Sequence, residues 1–270
     1  MVFNKKQEVK HLRLLVIGDI VGRPGRRAVK ENVSSLKKEF KLDFVIANGE
    51  NAAGGKGITE ETARELFSAG VDVLTMGNHV WNKKEAYEYI DRETKIIRPA
   101  NFPPGVPGLG AAVFDLPGGT NIGIINIEGR IYQQAIDCPF RKADALLLKM
   151  REKTRIIIVD FHAEATSEKV AMGWYLSGRV SAVVGTHTHV QTADERILPG
   201  GTAYITDLGM TGPMDSVIGV KKEIAIQKFL TQLPQYFEVA AGPFQFNGVI
   251  IDIDDSTGEA VSIERIQNYE

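Results

Sequence analysis

Short apolar runs that end in small or polar residues recur along the chain, and this pattern constrains the fold more than any other feature. Each run is about as long as a β-strand and is bounded by turn residues. They are LRLLVIGD (12–19), FVIANGEN (44–51), VDVLTMGNH (71–79), TNIGIINIEG (120–129), RIIIVDFH (155–162), RVSAVVGTH (179–187) and TAYITDLG (202–209). Such runs are typical of strands in a buried sheet.

Helical patterns lie between several of these runs. RRAVKENVSSLKKEF spaces Ala28, Val33 and Leu36 along one helical face. TEETARELFSAG opens with Thr59, a good helix cap, but Thr62 stands where a capping box has Glu or Gln, so the box is predicted to be incomplete. ATSEKVAMGWYLSG and KKEIAIQKFLTQL are also predicted to be helical.

The alternation of strands and helices predicts a layered α/β fold. FQFNGVIIDID and AVSIERI flank the turn signal DSTG, which predicts a terminal hairpin and therefore a sheet of mixed direction. The Pro- and Gly-rich stretch NFPPGVPGLG (101–110) is predicted to be a surface loop. We expect a single domain over residues 11–270 after a mobile tail at residues 1–10.

The composition of the chain argues against several classes of function. The net charge of -2 gives no basis for stable DNA binding or for association with a membrane. The only cysteine, Cys138, excludes an internal disulfide and a Cys-rich zinc site, and it fits a reducing, cytoplasmic location. No apolar stretch is long enough for a membrane-spanning helix.

Polar side chains stand at the ends of the predicted strands. Because ligands bind where the carboxyl ends of strands converge in open α/β sheets, these side chains can meet although they are far apart in sequence. His187 and His189 form a pair at positions i and i+2, which would face the same side of an extended segment. The full set is Asp19, Glu50, Asn51, Asn78, His79, His162, His187 and His189.

These side chains are of the types that bind divalent cations in proteins. Imidazole and oxygen ligands suit zinc, iron and manganese, and so many of them favour two ions bridged by a carboxylate, Glu50 or Asp19. Taken singly, Asp19 could instead cap the following helix, and Asn78 could occupy a left-handed turn. Asp160 and Glu164 flank His162 and are candidates to orient it, and Asp207 at another strand end could do likewise, although Asp207 fits a turn role equally well.

The same stretches resemble the calcineurin-like metallophosphoesterase superfamily, and more narrowly its bacterial YmdB branch. The resemblance runs from Leu12 to about Ile266 and rests on GDIVGRPGR, NGENAAGGKGIT, MGNHVWNKKE, DFHAEATSEK, GTHTHVQTADERILPGG and TDLGMTGPMDSVIG. It implies a layered α-β-β-α sandwich with mixed sheets. The chain departs from the superfamily at Val21, where a histidine ligand is usual, and at Val80, where an acidic residue usually follows the catalytic histidine.

Carried over residue by residue, the resemblance implies two metal sites. One cation would be held by Asp19, Glu50, Asn51 and His189. The other would be held by Glu50, Asn78, His162 and His187. Because Asn51 would place an amide where the superfamily has a histidine, the first site favours iron or manganese, and zinc remains an alternative.

The implied activity is hydrolysis of 2′,3′-cyclic nucleotides, and of RNA ends with the same group, by a hydroxide that bridges the metals. His79 would be the general acid. The alternatives are a phosphomonoesterase or protein phosphatase with the same metal core, and a regulatory nucleotide-binding protein with slow turnover. The expected partners are a small phosphodiester substrate and further copies of the chain, since homo-oligomers are common.

Overall fold

Two mixed β-sheets face each other and helices cover their outer surfaces. The computed structural model describes residues 11–270, so the tail expected at residues 1–10 lies outside the described residues. The helices are α1 (Gly22–Glu39), α2 (Glu60–Ser68), α3 (Ala86–Arg92), α4 (Pro139–Met150), α5 (Thr166–Leu176) and α6 (Lys222–Thr231).

The first sheet has eight strands in the order β2-β12-β13-β1-β3-β4-β5, with β14 paired to β13. Strands β1, β3, β4 and β5 run parallel, and β13 is antiparallel to β1. The strands are β1 (His11–Ile17), β2 (Asp19–Ile20), β3 (Phe44–Asn48), β4 (Val73–Thr75), β5 (Ile96–Ile97), β12 (Met210–Pro213), β13 (Phe244–Asp254) and β14 (Ala260–Tyr269).

The second sheet has six strands in the order β10-β11-β9-β8-β7-β6. Its four central strands are parallel, and both edge strands are antiparallel to their neighbours. The strands are β6 (Ala111–Asp115), β7 (Asn121–Glu128), β8 (Ile156–His162), β9 (Ala182–Thr186), β10 (Arg196–Leu198) and β11 (Thr202–Ile205).

Three apolar cores separate four layers. Residues such as Val33 of α1 and Leu66 of α2 pack on the outer face of the first sheet. Leu14 and Ile158 belong to the core between the sheets. Leu147 of α4 belongs to the core on the outer face of the second sheet, together with residues of α5. The expected α-β-β-α sandwich with mixed sheets is therefore confirmed.

Most local predictions agree with the structure. The helical face of α1 buries Ala28, Val33 and Leu36 as expected. The terminal hairpin is β13 paired with β14, and residues 101–110 lack a helix or strand.

The prediction of an incomplete capping box at α2 was wrong. The Thr62 hydroxyl accepts from the Thr59 backbone N–H at 3.0 Å, and the Thr59 hydroxyl accepts from the Thr62 N–H at 3.2 Å. A threonine hydroxyl thus replaces the usual Glu or Gln acceptor.

Candidate metal centre

The strand-end side chains predicted from the sequence come together at one edge of the two facing sheets. Asp19, Glu50, Asn51, Asn78 and His79 follow strands of the first sheet. His162 ends β8 of the second sheet, and His187 and His189 follow β9. The two sheets therefore contribute ligands from opposite sides of one site.

One group of contacts converges on His162, which is fully buried. Its Nε2 lies 3.0 Å from Asn78 Oδ1, 3.0 Å from His187 Nδ1 and 3.3 Å from Glu50 Oε1. Ligand atoms of Glu50, His162 and His187 all lie within 4.8 Å of one another. A single ring proton on Nε2 cannot serve three acceptors, whereas a cation among them can.

A second group of contacts surrounds His189. Its Nε2 lies 3.3 Å from Asn51 Nδ2 and 3.8 Å from Asp19 Oδ1, and its Nδ1 faces the Ile218 carbonyl at 2.9 Å. Asn51 Nδ2 also donates to Glu50 Oε1 at 3.0 Å. Glu50 therefore belongs to both groups of contacts.

Asp19 has a buried carboxylate oxygen that the protein itself leaves without a partner among the described residues. Its Oδ2 accepts the backbone N–H of His187 at 3.0 Å, but its Oδ1 is buried and has no hydrogen-bond partner among the described residues. A buried carboxylate oxygen without a donor is costly unless a cation neutralises it. Asp19 does not cap α1, because Val21 is the residue at that position. A carboxylate oxygen with imidazole nitrogens close by is a combination of ligand atoms that fits a divalent cation.

Charges inside the site shift its protonation equilibria. Burial raises the pKa of Asp19 to about 6, although the nearby histidines His189 and His162 act in the opposite direction. Burial opposes a charge on His162, but the carboxylates of Glu50, Asp19 and Asp160 together raise its pKa to about 9. Burial and the charge of His162 lower the pKa of His187 to about 3.

Glu50 is held ionised in the same network. Burial favours its neutral form, but the charge of His162 and hydrogen bonds from His162 and His79 lower its pKa well below the usual value. Without a cation, the protein therefore keeps a proton on His162 beside an ionised Glu50. A divalent cation that binds here must displace that proton, as is usual for histidine ligands.

His79 lies at the rim of the site and is 26% exposed. Its Nδ1 is 2.7 Å from Asn51 Oδ1 and 3.4 Å from Glu50 Oε1. Both neighbours are acceptors, so the hydrogen-bond network assigns a proton to Nδ1 and leaves Nε2 to exchange protons. The orientation missing at Val80 is thus supplied by Asn51 and Glu50.

The amide orientation of Asn51 and the backbone conformation of His187 and His189 differ from what the sequence predicts. Asn51 presents its Nδ2 to Glu50 and His189, so its amide must turn over before Oδ1 can serve as a ligand. His187 and His189 are not extended; their φ values are 102° and 66°. The reasoning from strand alternation was therefore wrong, and the two rings converge because the backbone turns after β9.

Supporting contacts hold the ligands in place. Asp160 accepts from the hydroxyls of Thr75 at 2.5 Å and Thr186 at 2.7 Å, and Thr186 Oγ1 lies 2.9 Å from His162 Nδ1. Asp160 therefore orients His162 through Thr186. Glu164 was expected to orient His162, but its Oε2 instead lies 3.0 Å from His187 Nε2.

Asp207, a candidate orienting group, has a buried partner that the sequence pattern did not reveal. Lys169, 2% exposed in the middle of α5, places its Nζ 2.5 Å from Asp207 Oδ2. The same Asp207 oxygen accepts from the N–H and hydroxyl of Thr188, which stands between His187 and His189. A lysine in a helix normally points to solvent, so no pattern distinguishes this one.

The backbone at Gly77 lies close to the side chains of the candidate site. A Cβ at Gly77 would lie 2.3 Å from both Glu50 Oε2 and His162 Nε2. The glycine immediately before Asn78 therefore makes room for the ligands. Asn78 itself lacks the positive φ of a left-handed turn.

Comparison with known proteins identifies similar chains. A curated protein from Bacillus subtilis (strain 168), 2′,3′-cyclic-nucleotide 2′-phosphodiesterase, is 55% identical over 255 residues, which are 94% of this chain and 96% of that protein. A crystal structure of a novel phosphatase from Mycoplasma pneumoniae has a TM-score of 0.93 at 37% identity and covers 97% of this chain and 95% of its own.

A third similar protein has a solved structure but no stated activity. The crystal structure of a hypothetical protein from Thermus thermophilus has a TM-score of 0.90 at 43% identity, over 96% of this chain and 100% of that one. In addition, the family model described as YmdB-like protein matches residues 15–266. The chain therefore belongs to the YmdB-like family and has its metallophosphoesterase-type fold.

Proposed function

We propose that this protein is a metal-dependent phosphoric ester hydrolase that opens 2′,3′-cyclic nucleotides. The observation that carries the proposal is the convergence of Asp19, Glu50, Asn78 and three histidines on one site, where the buried Oδ1 of Asp19 has no hydrogen-bond partner among the described residues. The activity of the Bacillus subtilis relative supports the substrate class. The cyclic phosphate at an RNA 3′ end contains the same ring, so the proposal extends to RNA ends.

The metal assignment follows the two groups of contacts. Asp19, Glu50 and His189 would hold one cation, joined by Asn51 once its amide has turned. Glu50, Asn78, His162 and His187 would hold the other. Bound divalent cations supply Lewis acidity, which neutralises charge on phosphoryl oxygens and makes a water molecule a better nucleophile. We favour iron or manganese, since these ions suit a set rich in oxygen ligands.

The protein's own groups orient the reaction and supply a proton. Water adds to phosphorus, the bond between phosphorus and the ribose 2′ oxygen breaks, and a 3′-nucleotide is released. With the Asn51 amide turned toward the cation, His79 would be held by Glu50, which lies 3.4 Å from its Nδ1 and accepts its backbone N–H at 3.1 Å, and would donate a proton from Nε2 to the departing 2′ oxygen. General acid catalysis of this kind contributes about 10²- to 10⁴-fold.

A direct test uses purified protein reloaded with Mn²⁺, Fe²⁺ or Zn²⁺ after chelation. We expect 2′,3′-cyclic AMP to yield 3′-AMP by chromatography, with activity lost on chelation and restored best by Fe²⁺ or Mn²⁺. His79→Ala should lower kcat about 10²- to 10⁴-fold while the metal content stays unchanged.

Three results would contradict the proposal. Faster turnover of p-nitrophenyl phosphate than of the cyclic nucleotide would favour a phosphomonoesterase. Hydrolysis that persists after confirmed metal removal would refute the metal mechanism. A His79→Ala strain that keeps every cellular effect of the wild type would favour a regulatory binding protein.

We also propose that the protein is a homo-oligomer in the cytoplasm. On α6, Ala225 is the only residue classed as buried, whereas Ile226, Phe229 and Leu230 are 52%, 73% and 76% exposed. Contiguous exposed apolar side chains mark interaction sites, and symmetric self-association is the commonest way to cover them. None of the described helices is long and apolar enough to cross a membrane. The single thiol, Cys138, supports the reducing location.

A further inference from the structure

The segment of residues 129–138, here called the rim segment, is anchored beside the metal centre. At its start, the backbone N–H groups of Arg130 and Ile131 donate to the carboxylate of Glu168 at 3.1 and 3.2 Å. At its end, Asn101 Nδ2 donates to the Asp137 carbonyl at 3.0 Å. These contacts fix the backbone at both ends of the rim segment beside the site.

A cavity of about 200 Å³ separates the rim segment from the metal centre. Asn78 and His187 form its inner wall, and Tyr132, Gln133 and Gln134 form its outer wall. A phosphodiester held at the metal centre would therefore extend its remaining atoms into this cavity. The rim segment is thus placed to contact the part of the substrate that is not phosphate.

Gln133 presents an amide that the protein itself does not use. Both its Nε2 and its Oε1 are shielded from solvent and have no hydrogen-bond partner among residues 11–270, so the amide must turn toward the cavity that the residue lines before it can meet a ligand. A donor and an acceptor left buried and unpaired cost free energy, so such a group is informative when it lines a ligand cavity. Gln134 differs, since its Nε2 donates to the Glu128 carboxylate at 3.0 and 3.3 Å.

Tyr132 adds an unused aromatic face next to this amide. The residue is 89% exposed and has a φ of 61°, a conformation that bulky side chains rarely adopt. Among the described ring pairs, none includes Tyr132. Proteins use such exposed rings as platforms for nucleobases.

We propose that the rim segment is a nucleobase subsite, in which Tyr132 stacks on the base and Gln133 hydrogen-bonds to its edge. The inference rests on the proposed function and names the part of the substrate that the metal centre does not contact. An amide with one donor side and one acceptor side matches the edge of each RNA base. The subsite therefore selects nucleotides over phosphodiesters without a base.

Two substrates test the subsite in the metal-loaded protein: 2′,3′-cyclic AMP and ribose 2′,3′-cyclic phosphate, which lacks the base. For Tyr132→Ala we expect kcat/KM to fall about 5- to 150-fold on the nucleotide, since stacking contributes about that much per base. The loss should lie in KM, and kcat/KM on the base-free substrate should change less than twofold. Tyr132→Phe should keep the activity, and Gln133→Ala should also weaken only the nucleotide.

Calorimetric titration with 3′-AMP provides a readout that does not depend on turnover. Its Kd should rise for Tyr132→Ala by the same factor as KM, and Tyr269→Ala, on β14, should leave it unchanged. Equal losses on both substrates, or an unchanged Kd and KM, would overturn the subsite. If the wild type hydrolyses neither substrate, the proposed function fails, and the Tyr132 dependence of 3′-AMP binding still decides the subsite.

Discussion

Replacement of Gly77 by alanine gives the most direct test of how the metal centre is built. Gly77 has no positive φ, so an alanine there meets no conformational penalty and acts through its volume alone. The added Cβ would lie 2.3 Å from Glu50 Oε2, 2.3 Å from His162 Nε2 and 2.4 Å from His162 Cδ2. Real Cβ contacts are essentially never under 3.0 Å, so these atoms must separate by about 0.7 Å.

That displacement is large for a metal site. Ligand distances must stay within about 0.2 Å of their ideal values, and a misplacement of 1 Å costs about 10²-fold in rate. Glu50 and His162 are 1% and 0% exposed, so neither side chain can swing into solvent to relieve the clash. We therefore expect Gly77→Ala to bind metal at least tenfold more weakly and to lose about a hundredfold in kcat/KM. The overpacking itself should destabilise the fold by about 1–3 kcal/mol.

The assay combines metal content after dialysis, kcat/KM on 2′,3′-cyclic AMP, and a thermal melt of the same samples. Gly119→Ala is the matched control, because a Cβ there meets nothing within 4 Å. Its φ of 87° makes it slightly destabilising, but it should retain full metal content and activity. If Gly77→Ala keeps both metal affinity and kcat/KM within threefold of the wild type, the assignment of Glu50 and His162 as ligands is refuted.

Three further predictions concern the surrounding structure. Lys169→Met should lower the free energy of unfolding by about 3–5 kcal/mol, because the buried Asp207 carboxylate loses its only cationic partner among the described ion pairs. Denaturant titration measures this loss, and a loss under about 1 kcal/mol would contradict the prediction. Burial favours the neutral form of Asp194, but hydrogen bonds from Thr206 and Thr192 outweigh burial and lower its pKa. The carboxylate therefore stabilises the fold above pH 3.8, and this stabilisation is lost as the pH falls through the lowered pKa. Asp194→Asn should therefore cost about 2 kcal/mol at pH 7, with a difference from the wild type that shrinks during acid titration; a difference independent of pH would refute the linkage. Phe229→Glu should reduce the molar mass measured by light scattering without a change in the circular dichroism spectrum, and an unchanged mass would exclude α6 from the interface.

Local sequence patterns predicted the long regular elements but not the short ones. The helical spacing of α1 is a strong signal because the helix buries one continuous face, and the turn residues DSTG mark the hairpin of β13 and β14. No sequence pattern indicated α3 or α4, and neither helix has a side-chain cap hydrogen bond at its N-terminus. Short strands such as β10, with three residues, are determined by the neighbour they pair with and carry little signal of their own.

The sequence by itself determined which residue types stand at the strand ends, because strand length, turn residues and ligand chemistry are all local properties. Only the tertiary structure decided how those residues meet. Two sheets packed face to face bring Asp19 to within 3.8 Å of His189, and a left-handed turn after β9 aims the histidine pair at the site. The burial of Lys169 and of the Gln133 amide is decided in the same way, because the loss of water as a partner depends on contacts between segments far apart in the chain.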